Sequence, residues 1–164
     1  MITTPNQLFE IFNKLNIEYK NYTHKAVFSA KEAEHTYDIV PGHHCKNLFL
    51  ISGKKKDIYL ISMSADKQAD LKTLSNKLEV KRFSFGNAEL LELTLGIKPG
   101  SVTPFALIND KEKKANVVLD AEMLKHEYVN FHPMINTASV VIKSSDLIKF
   151  IESLGYKPTI ISIY

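Results

Sequence analysis

Apolar residues near the start of the chain recur at helical spacing: Leu8, Phe9, Ile11, Phe12, Leu15 and Ile17. Thr4 ahead of Pro5 supplies an N-cap followed by the residue best suited to a first helical position, so spacing and capping together predict an amphipathic helix. The period then changes. Residues 19–22 alternate as a short strand, and Ser29 with Glu32 three positions on has capping-box spacing for a helix to about Tyr37, before Pro41-Gly42 breaks the chain. Two apolar runs follow, Asn47-Leu48-Phe49-Leu50-Ile51 and Ile58-Tyr59-Leu60-Ile61-Ser62-Met63. They flank Ser52-Gly53-Lys54-Lys55-Lys56-Asp57, a pattern that predicts a buried hairpin of central strands with a solvated turn.

Further along, helices are expected over residues 70–78 and 87–95 around a short strand at 82–85, the second helix ending at Gly96. The run Phe105-Ala106-Leu107-Ile108, a turn over 109–114 and Asn116-Val117-Val118-Leu119-Asp120 predict a second hairpin. Strands at 128–131 and 139–142 precede a capped helix over 145–154, closed by Gly155, and a last strand at 160–163. There is no internal repeat, low-complexity tract or linker. The expected fold is therefore a single α/β domain over residues 1–164, with a curved mixed sheet flanked by helices.

Composition narrows the function classes. With 164 residues, 45% hydrophobic and 24% charged, the chain can bury one core, and no window reaches the roughly 18 apolar residues of a membrane helix. The N-terminus lacks the basic-then-apolar pattern of a secretory leader, so a cytoplasmic protein with no membrane partner is expected. Of 21 basic residues all but Arg82 are lysine, and the net charge is +3. Phosphate contacts, where present, would come from lysine point charges, helix N-termini or backbone amides rather than bidentate arginines.

Candidate chemistry is sparse. His43-His44-Cys45 resembles a ligand cluster, but neighbours on an extended segment point to opposite sides and no partner stands at a usual return spacing; no metal or organic cofactor is expected. Cys45 could serve as a nucleophile with His132 as base, although a lone cysteine beside a buried strand is more often a small hydrophobe. Lys46 opens a buried run, where it reads equally as a cation held over a pocket or as a snorkelling edge lysine. Gly100-Ser101-Val102-Thr103-Pro104 is a rigid loop able to present amides or carbonyls, or a plain turn. Phe131-His132-Pro133 and Asn136-Thr137-Ala138 make a polar break between apolar strands, a common setting for binding residues and equally for a structural histidine.

Taken in order, Lys46-Asn47-Leu48-Phe49-Leu50, Gly100-x-x-x-Pro104 running into Phe105-Ala106-Leu107-Ile108-Asn109-Asp110, and Asn130-Phe131-His132-Pro133-x-x-Asn136-Thr137-Ala138 resemble the YbaK/ProX prolyl-tRNA editing domains. The likeness extends over nearly the whole chain and is to the free-standing type that clears alanine from proline tRNA. It implies hydrolysis of the ester at the tRNA 3′ end, with the acceptor end of mischarged proline tRNA as partner, and prolyl-tRNA synthetase as a further one. The family's near-essential lysine falls on Lys46, its neighbouring asparagine on Asn47, its glycine loop on Gly100, Ser101, Val102, Thr103 and Pro104, and its pocket histidine on His132. Lys46 and Gly100 are the expected catalytic positions. Asn47, the loop, His132, Asn136 and Thr137 are expected to bind substrate along with Lys46. The triplet His43-His44-Cys45 departs from the Gly, His and Thr or Ala that relatives more often carry.

Overall fold

The computed structural model describes residues 1–26, 32 and 39–163. Helix α1 (Pro5–Lys14) starts as its sequence predicts. Thr4 Oγ1 accepts the Gln7 N–H at 3.3 Å while the Gln7 side chain accepts the Thr4 N–H at 3.2 Å, so two amides at the helix start find partners. Leu8 and Phe12, one turn apart, are fully buried. The helix expected over residues 29–37 lies outside the described residues except for Glu32.

Eight strands follow: β1 (Lys20–Thr23), β2 (His43–Ser52), β3 (Asp57–Ser64), β4 (Phe83–Phe85), β5 (Ala115–Asp120), β6 (Tyr128–Phe131), β7 (Ala138–Lys143) and β8 (Thr159–Ile161). They form one mixed sheet in the order β1-β7-β6-β2-β3-β5-β8, with β4 also paired to β2. The hairpin β2–β3 is central, antiparallel from Cys45↔Ser64 to Ser52↔Asp57. Parallel pairs β3–β5, β5–β8 and β2–β6 flank it.

Helix α2 (Leu71–Lys77) is capped by Asp70, and α3 (Ala88–Leu95) by Asn87, with Gly96 ending it at φ 68°, a left-handed conformation that glycine adopts without a Cβ clash. Helix α4 (Ser144–Ser153) begins one residue earlier than its sequence suggests. Its N-cap is Lys143, whose side chain makes no capping bond, so the serines there are helical residues rather than caps.

One expected strand is a helix. Residues 104–109 form a 3-10 helix, Pro104–Asn109, entered through extended Thr103 with Pro104 in the first turn. Phe105, Ala106 and Leu107 are all buried, and a short run buried on every side carries no periodicity to separate helix from strand. The second hairpin therefore does not exist: β5 pairs in parallel with β3 and β8 instead.

The larger core lies between one sheet face and α1, α3, α4 and the 3-10 helix. Phe105 is its hinge point, edge-on to Phe12 at 5.1 Å, Phe150 at 5.6 Å and Phe131 at 5.9 Å. A smaller core on the opposite face packs Leu50, Ile61, Met63 and Val118 beneath Leu74 of α2.

Buried Asp110 ties the 3-10 helix to β5: its Oδ1 accepts the Lys114 N–H at 3.0 Å, and its Oδ2 accepts the Ala115 N–H at 2.8 Å and the Tyr156 hydroxyl at 2.7 Å. Asp110→Ala strands these donors in a buried place and should cost about 2 to 4 kcal/mol, whereas Tyr156→Phe, which leaves Asp110 its amides, should cost about 1 kcal/mol. Urea midpoints at constant slope check the order; a reversed or equal ranking contradicts the network.

Candidate active site

Strand β2 carries β3 along one edge. On its other edge it meets β6 only at His43 and His44, and β4 only from Leu50 to Ser52. Over residues 45–48 no strand among the described residues pairs with that edge, because β6 ends at Phe131 and β4 has not yet joined. Splayed strands of this kind leave a crevice beside a rigid sheet. Lys46 and Asn47 sit in this stretch.

Alternation sends the two to opposite faces. Asn47 shares the face of Phe49, in the larger core, and Lys46 shares that of Leu48, against the smaller one. Asn47 Nδ2 donates to the Val102 carbonyl at 3.1 Å while its Oδ1 accepts the Ser62 hydroxyl at 2.5 Å, so one side chain fastens the 100–104 loop to β2 and β3. Within that loop the Ser101 N–H is committed to the Lys98 carbonyl at 2.9 Å. Thr103, fully buried, accepts the Phe105 N–H at 3.3 Å. Ser101 and Pro104 are buried, Gly100 and Val102 half-buried.

Lys46 is half-buried, and burial lowers its pKa against the opposing pull of Asp66. It stands two residues beyond His44, whose pair across the parallel ladder is Asn130; His132 stands two residues beyond Asn130. The two expected site residues thus leave neighbouring strands at the same level. His132 Nδ1 donates to the Ala138 carbonyl at 2.9 Å, which fixes the neutral tautomer with Nε2 as acceptor. Burial is the main cause of its lowered pKa, His24 adds to it and the Ala138 bond opposes it. The His24 ring lies 6.1 Å from His132, donates from Nδ1 to the Lys25 carbonyl at 2.8 Å and accepts the Ser139 hydroxyl at Nε2, 2.9 Å away. Thr137 contributes its carbonyl to the His24 N–H at 2.9 Å; Asn136 is half-buried in the same turn.

The expected residues therefore fall into two groups: Asn47 with the 100–104 loop on one face of β2, and His132 with the 136–137 turn around His24. Lys46 projects from the face opposite Asn47. Two clefts, of about 690 and 410 Å³, are lined by neither Lys46, Gly100 nor His132.

The triplet before Lys46 is structural in its contacts. His43 Nε2 lies 2.7 Å from Ser64 Oγ and its ring stacks on His126 at 3.6 Å, with burial first and His126 second in lowering its pKa. The Cys45 thiol donates to the His43 carbonyl at 3.3 Å, and burial pushes its pKa up, away from the thiolate a nucleophile requires. Asp120, fully buried, adds to that shift; its Oδ1 accepts the Glu122 N–H at 3.2 Å. Among the described residues no group of three or more His, Cys, Asp or Glu side chains is placed to hold a metal. Sequence reasoning missed His24, Ser139, Asp66 and His126. Each is a single polar residue far in sequence from the group it meets, so only strand pairing brings it into place.

A family profile described as an aminoacyl-tRNA editing domain matches residues 24–150. Prolyl-tRNA synthetase associated domain-containing protein 1 of Danio rerio is 34% identical over 158 residues, covering 95% of this chain and 85% of that protein. The prolyl-tRNA editing protein ProX of Acetoanaerobium sticklandii is 32% identical over 143 residues, 87% of each. A crystal structure of a candidate trans-editing enzyme for prolyl tRNA synthetase superposes with a TM-score of 0.71 at 17% identity over 97% of each chain, a likeness of fold.

His132 and His43 both have pKa values lowered on folding, so below the ordinary imidazole value of about 6.5 the unfolded chain binds more protons than the folded one. Stability should be full above about pH 6.5 and decline as pH falls toward the folded-state values. Thermal melts between pH 7 and 5 should show this decline, reduced in His132→Gln. A variant as acid-sensitive as the parent removes His132 from the explanation.

Proposed function

The chain belongs to the aminoacyl-tRNA editing domain family, and on that premise we propose that it is a trans-editing hydrolase that clears a wrong amino acid, alanine above all, from proline tRNA by cleaving the ester at the 3′ end. The observation that carries this reading is the unpaired stretch of β2, which sets Lys46 on one face and Asn47, tied to the 100–104 loop, on the other, level with His132. The names of the similar Danio rerio and Acetoanaerobium sticklandii proteins support the prolyl-tRNA assignment.

An aminoacyl ester is already labile, so catalysis needs mainly an oriented water and stabilisation of the tetrahedral oxyanion. Remaining amides of the 100–104 loop are suited to the oxyanion, and Asn47 keeps the loop in position. The substrate's α-amino group is largely cationic and would repel Lys46, whereas the terminal phosphate attracts it. Lys46 therefore anchors the phosphate rather than abstracting a proton. His132, held neutral with Nε2 as acceptor, suits a donor on the substrate such as its ammonium or a ribose hydroxyl. The adjacent 2′-hydroxyl of the tRNA assists the attacking water.

Selectivity follows from size. A synthetase site shaped for proline rejects smaller alanine poorly, and a second site too tight for proline completes the discrimination. Two neighbouring readings are outcomes of the same assay: a deacylase for cysteine or another small residue on proline tRNA, and a noncatalytic tRNA- or synthetase-binding module, which the words "synthetase associated" in the Danio rerio relative's name favour.

Deacylation of a panel of mischarged tRNAs tests the proposal. Alanine should leave proline tRNA while proline stays; comparable rates would sink the sieve, faster cysteine release would reassign the substrate, and no release at all would favour the binding module. Lys46→Ala should lose roughly ten- to a hundredfold in rate, the loss of one charge-assisted contact. Cys45→Ser should retain most activity because water attacks the ester. The reverse pattern would install a thiol hydrolase in its place.

A further inference from the structure

The cleft of about 690 Å³ lies apart from the expected site residues and has no role in the reaction as described; Tyr19, Lys20, Tyr22, Gly42, Tyr128 and Val141 are among its walls. Two of its three tyrosines, Tyr19 and Tyr22, come from one short segment, and the third, Tyr128, from far along the chain. They converge because β1 pairs with β7 (Lys20↔Val141, Tyr22↔Ser139) and β7 with β6 (Asn130↔Val141, Tyr128↔Lys143). Val140 and Ile142 face the larger core, so Val141 and its partner Lys20 face the other way, into the cleft, and Ser139 with its partner Tyr22 lies on that same face. The same face carries His24 on Ser139 and, through His44↔Asn130, runs on to Lys46. The cleft, Lys46 and His132 thus lie along one sheet face, with the 100–104 loop on the other, and Val141 and Ser139 are only about 7 Å apart along β7.

Three tyrosine rings line the cleft. Tyr19 is already stacked on Phe9 at 4.6 Å and 19° and leans on Phe12 at 5.3 Å, so its ring need not be ordered on binding. Tyr128 is 44% exposed. Gly42, at φ +86°, keeps the entry strap low: a Cβ there would meet Val141 Cγ1 at 3.3 Å and the Tyr128 carbonyl at 3.4 Å. Lys20 is the one cation lining the cleft among the described residues, enough for one phosphate but not for a duplex backbone, and Asn13 and Glu18 offer partners for ribose hydroxyls or a base amine. The volume suits a nucleotide-sized ligand and is far too large to select alanine.

We propose that this cleft receives an unpaired nucleotide of an RNA 3′ end, its base against the tyrosine rings and its phosphate toward Lys20. The choice of RNA rests on the editing reading; the stacking chemistry rests on the cleft alone.

The test uses short uncharged RNAs ending in CCA, with 2-aminopurine at the last or the penultimate position, whose fluorescence is quenched on stacking. The intact protein should quench at least one of them, and Tyr128→Ala and Tyr22→Ala should weaken binding about five- to a hundredfold, while the phenylalanine variants retain it. Circular dichroism confirms folding, and exposed Tyr128 gives a clean answer even if Tyr22→Ala unfolds. Absence of quenching, or unchanged affinity in folded Tyr128→Ala, overturns the proposal. Free 2-aminopurine ribonucleotide binding as tightly as the RNA overturns the RNA-end assignment, as does equal binding of a blunt duplex. Because these RNAs carry no ester, the readout is independent of hydrolysis. Tyrosine-dependent quenching without any deacylation would preserve the cleft and sink the editing reading; deacylation by a protein that quenches none of these RNAs would do the opposite.

Discussion

Among the described residues the second edge of β2 is paired with a strand only at its two ends, and the rest of the site follows from that. One edge is fully used by β3, while the other is shared between β6 at its start and β4 at its end. Central strands normally have both edges paired, since buried amides and carbonyls need partners. Here the interval between the two partners is where a long side chain, a loop or a ligand can approach a rigid strand. The Phe49 carbonyl at the far limit of the interval is met by the Gly86 N–H at 2.9 Å, and a Cβ on Gly86 would collide with the Phe49 ring, so glycine is needed where the chain closes in again.

Alternation along that interval divides labour between two neighbouring residues. Asn47 places its amide between Val102 and Ser62, and so fastens the loop to β2 and β3. Lys46, one residue earlier, cannot share those partners and faces the side on which His24, Ser139 and the tyrosine cleft also lie. Its weakened hold on the proton comes from burial, and Asp66 partly restores it. A lysine so placed is a positioned point charge. The nearby thiol is the opposite case: Cys45 lies one residue away, but burial keeps its proton on.

Much of this organisation could be read from the sequence, for reasons specific to each element. Thr4-Pro5, Asp70 and Asn87 announce helices because capping is a local bargain between a side chain and amides two or three residues on. The β2–β3 hairpin is legible because its apolar runs are long and its turn is charged. Residues 105–108 were not, since a segment buried on all sides shows no face, and Thr103-Pro104 decided for a 3-10 helix. Among site residues, Lys46 and Asn47 stand out at the mouth of a buried run and His132 in a polar break. Their assignment to opposite faces required knowing which neighbours form each core. The pairing of His24 with Ser139, 115 residues apart, had no local signal at all.

The same argument explains why the tyrosine cleft is invisible in the sequence and yet firmly built. Tyr19 precedes β1, Tyr22 lies within it and Tyr128 opens β6, and nothing in the sequence relates the last to the first two. Their meeting depends on β7 entering the sheet between β1 and β6, so a late hairpin partner decides what an early strand faces. The sheet order also sets the cleft on the face of Lys46, because Val141, Ser139 and Asn130 share one face through successive register pairs that end at His44 on β2. An enzyme acting on the last ester of a long polynucleotide must hold the chain close to where the ester is cut, or thermal motion of the single-stranded end will dilute it from the catalytic groups. A sheet face that carries an aromatic cleft at one end and a lysine at the other would meet that requirement for the proposed substrate.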